Sequence, residues 1–289
     1  MKKFTKVIAV LLAVAAIVAT FAACSGGKDT AKVKVIEINL SDEVYALGVN
    51  KDDAALLASA NEFIAKIKAD GTFDKICNNY FGDGTPVAVS SAAEDTSKDQ
   101  LVVATNAEFE PFEYKKGDQF YGIDMEVVKA FADSLGKELV IKDMEFDAVV
   151  TAVQQNKADI AAAGLTVNPG RAEQVNFTES YYSASQQLIV KADDTKFDEC
   201  KTKEDVDAIL DTFEASVKIG GQKGTTGAAY VEGDLDNPDG FGFKGLKAEF
   251  KGYANGSLAV MDLINGGVDS VIIDAAPDSA ITKAINAVA

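Results

Sequence analysis

The sequence predicts an α/β protein made of two structural units. From Leu101 onwards, short apolar segments alternate with amphipathic segments of helical period, which is typical of strands and helices in an α/β fold. The chain has 289 residues, about twice the usual size of one domain. No repeat of 20–50 residues is evident in the sequence. We therefore expect two α/β units whose strands are buried in largely parallel sheets.

The residue composition excludes several classes of function. There are 28 Lys and Arg residues against 45 Asp and Glu residues, a formal net charge of −17, whereas nucleic-acid binding requires a basic surface. The chain has no His, which excludes Ser-His-Asp catalysis, Cys-His catalysis and His-ligated zinc. Three Cys residues form neither a disulfide framework nor a Cys-rich metal site. We expect no metal and no cofactor.

Residues 1–24 are interpreted as a lipoprotein signal peptide. Three lysines precede an apolar run over 7–23, and small residues lead into Cys24, as in a bacterial lipobox. We expect Cys24 to be lipidated and residues 25–32 to form a tether. Because the apolar run is 17 residues long, a plain membrane anchor is the alternative.

In both cases the globular part lies outside the cytoplasm, attached to the bacterial membrane. Removal of residues 1–23 leaves 25 basic residues against 45 acidic ones, which is a net charge of −20. Cys77 lies in a short predicted helix and Cys200 in a distant charged segment, so we favour two unpaired thiols.

The elements before Leu101 are one strand and two helices. Residues 33–38 alternate and are rich in β-branched residues, which predicts a strand. Apolar residues at helical spacing predict a helix over 51–69, and Gly71 is suited to end it. A second helix is expected over 73–81. Residues 83–100, rich in Gly, Ser, Ala and acidic residues, are interpreted as a linker.

The elements after Leu101 follow the strand–helix alternation. Strands are expected at 101–104, 139–142, 159–163, 187–190, 217–219, 248–253 and 270–273. Helices are expected at 125–135, 146–155, 203–213, 226–231, 258–265 and 279–287.

Several motifs in the second part of the chain share a family pattern. In the order of the chain, these motifs are ATNAEFEPFEY at 104–114, YGID at 121–124, MEFD at 144–147, AAGLTVNPGR at 162–171, VNFTESYY at 175–182, GTTG at 224–227 and GGVDSVIID at 266–274. These motifs resemble the bacterial extracellular solute-binding proteins of polar amino-acid ABC importers. The resemblance implies the two-lobed type II periplasmic binding fold and, as partners, a small amino acid and a membrane permease.

The two ends of the chain depart from the order of that family. The family's closing strand, hinge crossing and helices resemble residues 33–82 here, which stand at the front. We interpret this order as a circular permutation, with 83–100 joining the ancestral termini. An unrelated N-terminal domain and the remnant of a tandem duplication are the alternatives.

The permutation defines the expected lobes. Lobe I would contain residues 46–82 and 101–180, and lobe II residues 33–40 and 186–289. The chain would cross between them at 41–45 and 181–185, so the lipid tether would enter lobe II.

An amino-acid site must bind a carboxylate and an ammonium group. Arg171 is the only arginine beside 27 lysines, and its planar fork suits a carboxylate better than a lysine does. A solvated surface arginine is the alternative. The resemblance adds Thr166 as a hydroxyl and backbone N–H donor. Ala163 and Gly164 would offer a backbone carbonyl to the ammonium group.

The second lobe is expected to supply the opposite wall of the site. Asp274 follows the apolar strand 271–273 and suits an ammonium ion, although capping of the next helix is also possible. Thr225 and Thr226 open a helix, where free N–H groups favour an anion. Gln222 lies just upstream and would line the pocket.

The side chain of the ligand is expected to lie between two aromatic rings. Phe109 and Phe146 supply apolar area, but either ring taken alone is better explained by core packing. Asn106 stands where binders of basic amino acids often have Asp, although Glu108 and Glu110 are nearby. We therefore expect a polar L-amino acid, with an uncharged one slightly ahead of a basic one.

The resulting functional hypothesis is a monomeric, membrane-tethered receptor that closes on an amino acid and delivers it to an ABC permease. Three alternatives stay open: a ligand-sensing module for a membrane receptor, an enzyme resembling cyclohexadienyl dehydratase, and a surface adhesin. The enzyme is disfavoured because the site has no His and no evident acid–base pair.

Overall fold

The computed structural model describes residues 31–237 and 240–287. The predicted signal peptide and Cys24 lie outside these residues. The strands are β1 (Val33–Ile36), β2 (Glu43–Tyr45), β3 (Gly48–Asn50), β4 (Gln100–Thr105), β5 (Glu108–Phe109), β6 (Glu113–Lys116), β7 (Gln119–Tyr121), β8 (Glu138–Asp143), β9 (Ile160–Ala161), β10 (Val175–Phe177), β11 (Tyr182–Ala184), β12 (Gln186–Lys191), β13 (Lys218–Gln222), β14 (Glu249–Tyr253) and β15 (Ser270–Asp274).

The helices pack against the two main sheets and against one another. They are α1 (Ala54–Ala69), α2 (Thr72–Phe81), α3 (Ile123–Leu135), α4 (Phe146–Gln154), α5 (Pro169–Gln174), α6 (Lys203–Leu210), α7 (Thr226–Glu232), α8 (Gly256–Asn265) and α9 (Ala275–Ala287). The protein is thus an α/β structure, as the sequence predicts.

Two five-stranded sheets form the cores of two lobes. The sheet of lobe I has the order β10-β3-β9-β4-β8, and α1 to α5 pack around it. The sheet of lobe II has the order β1-β12-β15-β13-β14 and carries α6 to α9. Strands β2 and β11 pair antiparallel in a separate two-stranded ribbon, with Tyr45 opposite Tyr182, and join the lobes.

The two sheets are mixed rather than purely parallel. In lobe I only β3 runs against the other four strands, and in lobe II only β12 does so. Both of these strands directly follow a crossing strand, β2 or β11.

The front segment contributes to both lobes. Strand β1 pairs with β12 in lobe II, from Val33 opposite Lys191 to Ile36 opposite Leu188. Strand β3 lies between β10 and β9 in lobe I. Residues 83–99 follow the surface of lobe I, where Val89 and Phe120 exchange backbone hydrogen bonds of 2.8 and 3.0 Å.

Several element boundaries differ from those expected. Helix α1 begins at Ala54 because the Asp53 side chain accepts the N–H of Leu56 and caps it. Helix α9 begins at Ala275 instead of residue 279, with Pro277 in its first turn. The structure also contains elements that the sequence pattern does not predict, because they have too few residues to show a period: helix α5 and the short strands β2, β3, β5, β6, β7, β10 and β11.

Two further observations concern the described residues. Cys77 and Cys200 are both free thiols, and burial raises the pKa of Cys77 to about 11. Within 31–237 and 240–287, no helix is both long enough and apolar enough to span a membrane.

Candidate functional site

A narrow cavity lies between the two lobes, with about 10 Å³ of space open to the centre of a water molecule. Its wall brings together all eleven residues that the sequence analysis selected: Asn106, Phe109, Phe146, Ala163, Gly164, Thr166, Arg171, Gln222, Thr225, Thr226 and Asp274. The first seven belong to lobe I and the last four to lobe II. The residues follow the ends of several strands, where loops lead into helices.

Arg171 is fixed by its own short helix. Asn168 caps α5 by accepting the backbone N–H of Arg171 at 2.7 Å, with Pro169 in the first turn. The guanidinium donates through Nη1 to the carbonyl of Thr166 at 2.7 Å. Through Nη2 it donates to the carbonyl of Gly224 at 3.0 Å, which is a contact to lobe II.

The charge of Arg171 is retained despite its surroundings. Burial lowers the pKa of the guanidinium to about 10, while the carboxylates of Glu43 and Asp274 act in the opposite direction. The group is therefore cationic at neutral pH. Its Cζ lies 5.3 Å from the ring centroid of Phe146, within the range of a cation–π contact.

Thr166 has a hydrogen-bond partner that the sequence analysis did not anticipate. Its hydroxyl donates to Oε2 of Glu43 at 2.8 Å, so that the hydroxyl hydrogen is already engaged. Glu43 is buried in the crossing strand β2, where its Oε1 accepts from Ser41 and from Gln186. This contact joins the site to the crossing strand β2, and donation from the Thr166 hydroxyl to a ligand stays a prediction.

Gly164 forms the floor of the cavity. Its φ is +51°, a conformation that favours glycine, and a Cβ there would lie 2.7 Å from Cε1 of Phe109. The Gly164 N–H donates to Oδ2 of Asp124 at 2.9 Å, and the hydroxyl of Tyr181 donates to Oδ1 at 2.7 Å. Burial raises the pKa of Asp124 to about 6, although both hydrogen bonds lower it.

Asp274 ends strand β15 and is buried in the lobe II wall. The hydroxyl of Tyr45 donates to its Oδ1 at 2.5 Å, so the carboxylate contacts the crossing strand β2. Burial, followed by the charge of Glu43, raises the pKa of Asp274, while the Tyr45 hydrogen bond lowers it.

The remaining polar groups connect the lobes across the cavity. Gln222, the last residue of β13, donates through Nε2 to Oδ1 of Asn106 at 2.9 Å. Asn106 in turn donates through Nδ2 to the carbonyl of Met144 at 2.9 Å. Thr225 caps α7 and donates to the carbonyl of Gln222 at 2.8 Å. This end of the cavity is therefore lined by neutral amides.

Residues that do not line the cavity also shape the site. Glu43, Tyr45 and Asp124 support the lining residues through the hydrogen bonds above. Glu43 and Tyr45 are two positions apart, so an extended crossing would have placed both on one face. The sequence shows this spacing, but no local pattern of residues indicates that this face of the crossing strand contacts Asp274.

More than half of the sequence matches one protein family. The sequence model of the bacterial extracellular solute-binding proteins, family 3, matches residues 101–276. The chain belongs to this family. The likeness begins after residue 100, so residues 33–82 lie outside the matched range of this family 3 protein.

Several individual proteins are similar to this family 3 chain. The arginine-binding extracellular protein ArtP of Bacillus subtilis is 36% identical over 109 residues, covering 38% of this chain and 43% of that protein. The ABC transporter arginine-binding protein 1 of Escherichia coli is 28% identical over 190 residues, covering 65% and 66%. The chain thus matches between about four tenths and two thirds of the length of these curated relatives.

Solved structures are similar to the family 3 protein at the level of the fold. An ancestral arginine-binding protein bound to arginine is 31% identical, with a TM-score of 0.54 over 65% of this chain and 75% of that one. The ancestral amino acid-binding protein AncCDT-1, a precursor of cyclohexadienyl dehydratase, is 28% identical, with the same TM-score over 64% and 74%. The fold is therefore the type II periplasmic binding fold.

Proposed function

We propose that this protein binds a polar L-amino acid between its two lobes and delivers it to an ABC permease. The observation that carries the proposal is one cavity with Arg171 on the lobe I wall and Asp274 on the lobe II wall. An amino acid presents a carboxylate and an ammonium group, and these two side chains have the complementary charges. Relatives named for arginine and histidine binding support the ligand class.

Each residue that lines the cavity binds one part of the amino acid. Arg171, with the backbone N–H of Thr166 and the start of α7 at Thr225 and Thr226, binds the ligand carboxylate. Asp274 and the backbone carbonyls of Ala163 and Gly164 bind the ammonium group. Four side chains surround the ligand's own side chain: Phe109, Phe146, Asn106 and Gln222.

The neutral amides of Asn106 and Gln222 favour an uncharged polar amino acid. No described lysine, arginine or acidic residue other than Arg171 and Asp274 lines this cavity. A similar ancestral arginine-binding protein, 30% identical with a TM-score of 0.50, has been solved with glutamine bound. Amide groups donate and accept hydrogen bonds, which suits a terminal amide or hydroxyl of the ligand.

Binding proceeds by closure of the two lobes about the crossings β2 and β11. The ligand touches both walls, so it favours the closed arrangement by its differential affinity. The direct test is a thermal-shift screen of the twenty L-amino acids, because a ligand at 100 times its Kd adds about 2.7 kcal/mol to stability. D-enantiomers are the matched controls. A screen with no shift, confirmed by calorimetry, would overturn the proposal.

Binding rather than catalysis is the proposed activity. The described pocket has one carboxylate, Asp274, and one guanidinium, Arg171, both assigned to the ends of the ligand. Turnover of prephenate, measured by product absorbance, would instead support the dehydratase alternative, which the similarity to AncCDT-1 makes worth testing.

We further propose that Cys24 carries a lipid and holds the protein on the outer side of the membrane. Replacement of Cys24 by Ala should move the protein from the membrane fraction to the soluble fraction. Intact-mass measurement of the wild-type protein should show loss of residues 1–23 and a diacylglyceryl addition. A protein that keeps residues 1–23 would support the plain membrane anchor instead.

We also propose that the chain is a circular permutant of the family fold, with the lobes and crossings assigned above. Two observations support this. Strand β3 of the front segment follows a crossing and reverses direction in lobe I, as β12 does in lobe II. The N–H of Lys32 lies 2.8 Å from Oδ1 of Asn286, so the end of α9 adjoins the start of β1.

A further inference from the structure

A phenylalanine of lobe II contacts the guanidinium of lobe I. Phe241 lies in the loop that follows α7, and its ring centroid is 5.9 Å from Cζ of Arg171. Phe146, by comparison, belongs to lobe I and lies 5.3 Å from the same atom. Arg171 is thus contacted by aromatic rings from both lobes.

The two rings border different spaces near the guanidinium. Phe146 and Arg171 both line the cavity between the lobes, whereas Phe241 does not. Phe241 instead lines two outer grooves, of about 470 and 530 Å³, and Arg171 also lines the second one. Phe241 therefore contacts Arg171 at the outer groove and not within the cavity.

The loop holds Phe241 in this position from within lobe II. Asp234 accepts the backbone N–H groups of both Phe241 and Phe243 through its carboxylate. The rings of Phe241 and Phe243 stack with centroids 5.9 Å apart and an interplanar angle of 23°. Phe243 is itself packed on Tyr230, with centroids 5.1 Å apart. The ring that meets Arg171 is thus anchored to the core of lobe II.

The Gly224 carbonyl adds a second contact from the same lobe. It accepts from Nη2 of Arg171 at 3.0 Å, and Gly224 has a φ of +71° that favours glycine. A Cβ at this position would lie 1.9 Å from Oδ1 of Asp147. Lobe II therefore approaches the guanidinium both through a backbone carbonyl and through an aromatic face.

We propose that Phe241 is a positioning residue that caps Arg171 when the lobes close, and so slows the release of a bound amino acid. The inference rests on the proposed function of the cavity. A guanidinium shielded from water binds a carboxylate more strongly, because the local dielectric is lower. Since Phe241 and Arg171 belong to different lobes, the contact forms on closure and affects dissociation more than association.

The test compares Phe241→Leu with the wild-type protein. The probe is the L-amino acid that gives the largest thermal shift among the twenty. We expect Kd to rise by about 3- to 30-fold, as for the loss of one cation–π contact. The dissociation rate measured by stopped-flow fluorescence of a bound-state reporter should rise by the same factor, with the association rate unchanged.

Two further variants separate this role from a general effect of the loop. Phe241→Tyr retains the aromatic face and should restore Kd to within about twofold of the wild-type value. Leu235→Ala alters a side chain of the same loop that is 64% exposed, and should leave Kd and both rates unchanged. Thermal unfolding without amino acid verifies that each variant is folded.

The outcomes distinguish the inference from the proposed function. A wild-type protein that binds none of the twenty amino acids overturns the proposed function. A wild-type protein that binds, together with a folded Phe241→Leu variant of unchanged Kd and dissociation rate, overturns the inference alone. Equal losses in Phe241→Leu and Phe241→Tyr would also overturn it, because the aromatic face would then be irrelevant.

Discussion

The hydroxyl of Tyr45 donates a 2.5 Å hydrogen bond to Oδ1 of Asp274, and both residues are buried. Tyr45 lies in a crossing strand and Asp274 at the end of a lobe II strand, so the bond links the hinge to the wall of the cavity. The hydrogen bond lowers the pKa of Asp274, against the stronger effect of burial. Tyr45 therefore favours the ionised carboxylate that an ammonium group requires.

Replacing Tyr45 by Phe should weaken amino-acid binding by about 0.5–1.5 kcal/mol, the usual net value of one hydrogen bond. Isothermal titration calorimetry at neutral pH measures the change. Tyr182→Phe is the matched control, because the ring of Tyr182 stacks on that of Tyr45 with centroids 5.7 Å apart. The hydroxyl of Tyr182 makes no hydrogen bond to the described residues. Equal effects in the two variants would refute a specific role for the Tyr45 hydroxyl.

Replacing Arg171 by Ala should abolish amino-acid binding while leaving the protein folded. Loss of one partner of a buried charge pair costs about 2–5 kcal/mol. Arg171→Lys keeps the charge but lacks the planar fork, and should bind with intermediate affinity. Calorimetry gives the affinities, and circular dichroism verifies the fold. An unchanged Kd in the Ala variant would show that the carboxylate is bound elsewhere.

Replacing Asp274 by Asn should cost about 1–3 kcal/mol of binding free energy and remove a pH dependence. Because burial raises the pKa of Asp274, this group in the free protein takes up a proton as the pH falls through that raised value. An ammonium ligand requires the ionised form, so wild-type affinity should be full above the raised pKa and fall by up to about tenfold per pH unit below it.

Titrations between pH 5 and pH 8, analysed for Kd at each pH, provide the test. The Asn variant should show a flat profile over the same range. A wild-type profile as flat as that of the variant would assign Asp274 to helix capping instead of ligand binding.

Replacing Asp278 by Asn should stabilise the protein at alkaline pH. Asp278 is fully buried, its Oδ2 has no hydrogen-bond partner, and burial raises the pKa of the group to about 8. Between the ordinary pKa and about 8, the folded state binds a proton that the unfolded state lacks, so stability decreases as the pH rises through this range.

Above pH 8 the wild-type protein must hold a buried charge, whereas the Asn variant does not. We expect the variant to be more stable by about 1–3 kcal/mol at pH 9, and the difference to disappear near pH 4. Urea unfolding at both pH values measures it, with the exposed Asp236→Asn as control. A variant that is less stable at pH 9 would contradict this account.

Reversing the proposed permutation should give a folded, amino-acid-binding protein. The rearranged chain would begin at Leu101 and carry residues 33–82 after Ala289. The 2.8 Å contact between Lys32 and Asn286 shows that the new junction needs little or no added linker. The measurements are cooperative thermal unfolding and calorimetric Kd, both expected to be close to those of the natural order.

A chain that lacks residues 33–82 is the matched negative control. It loses β1 from lobe II and β3, α1 and α2 from lobe I, so it should show no cooperative transition. A truncated protein that unfolds cooperatively would instead favour an independent N-terminal domain.

The sequence by itself determined the α/β class, the family and the residues of the cavity. Long periodic segments such as α1 and α3 were visible because burial imposes a regular spacing of apolar residues. Arg171 stood out because it is the only arginine, and Asp274 because it follows an apolar strand. Such features are local in the chain, so the sequence carries them directly.

Only the tertiary structure decided which distant groups meet. The reversed directions of β3 and β12, the contact of Glu43 with Thr166 and that of Tyr45 with Asp274 depend on how the chain crosses between lobes. The same holds for Phe241, which is 70 positions from Arg171 and lies in a loop without periodicity. Contacts between lobes arise from three-dimensional packing, and no local pattern of residues encodes them.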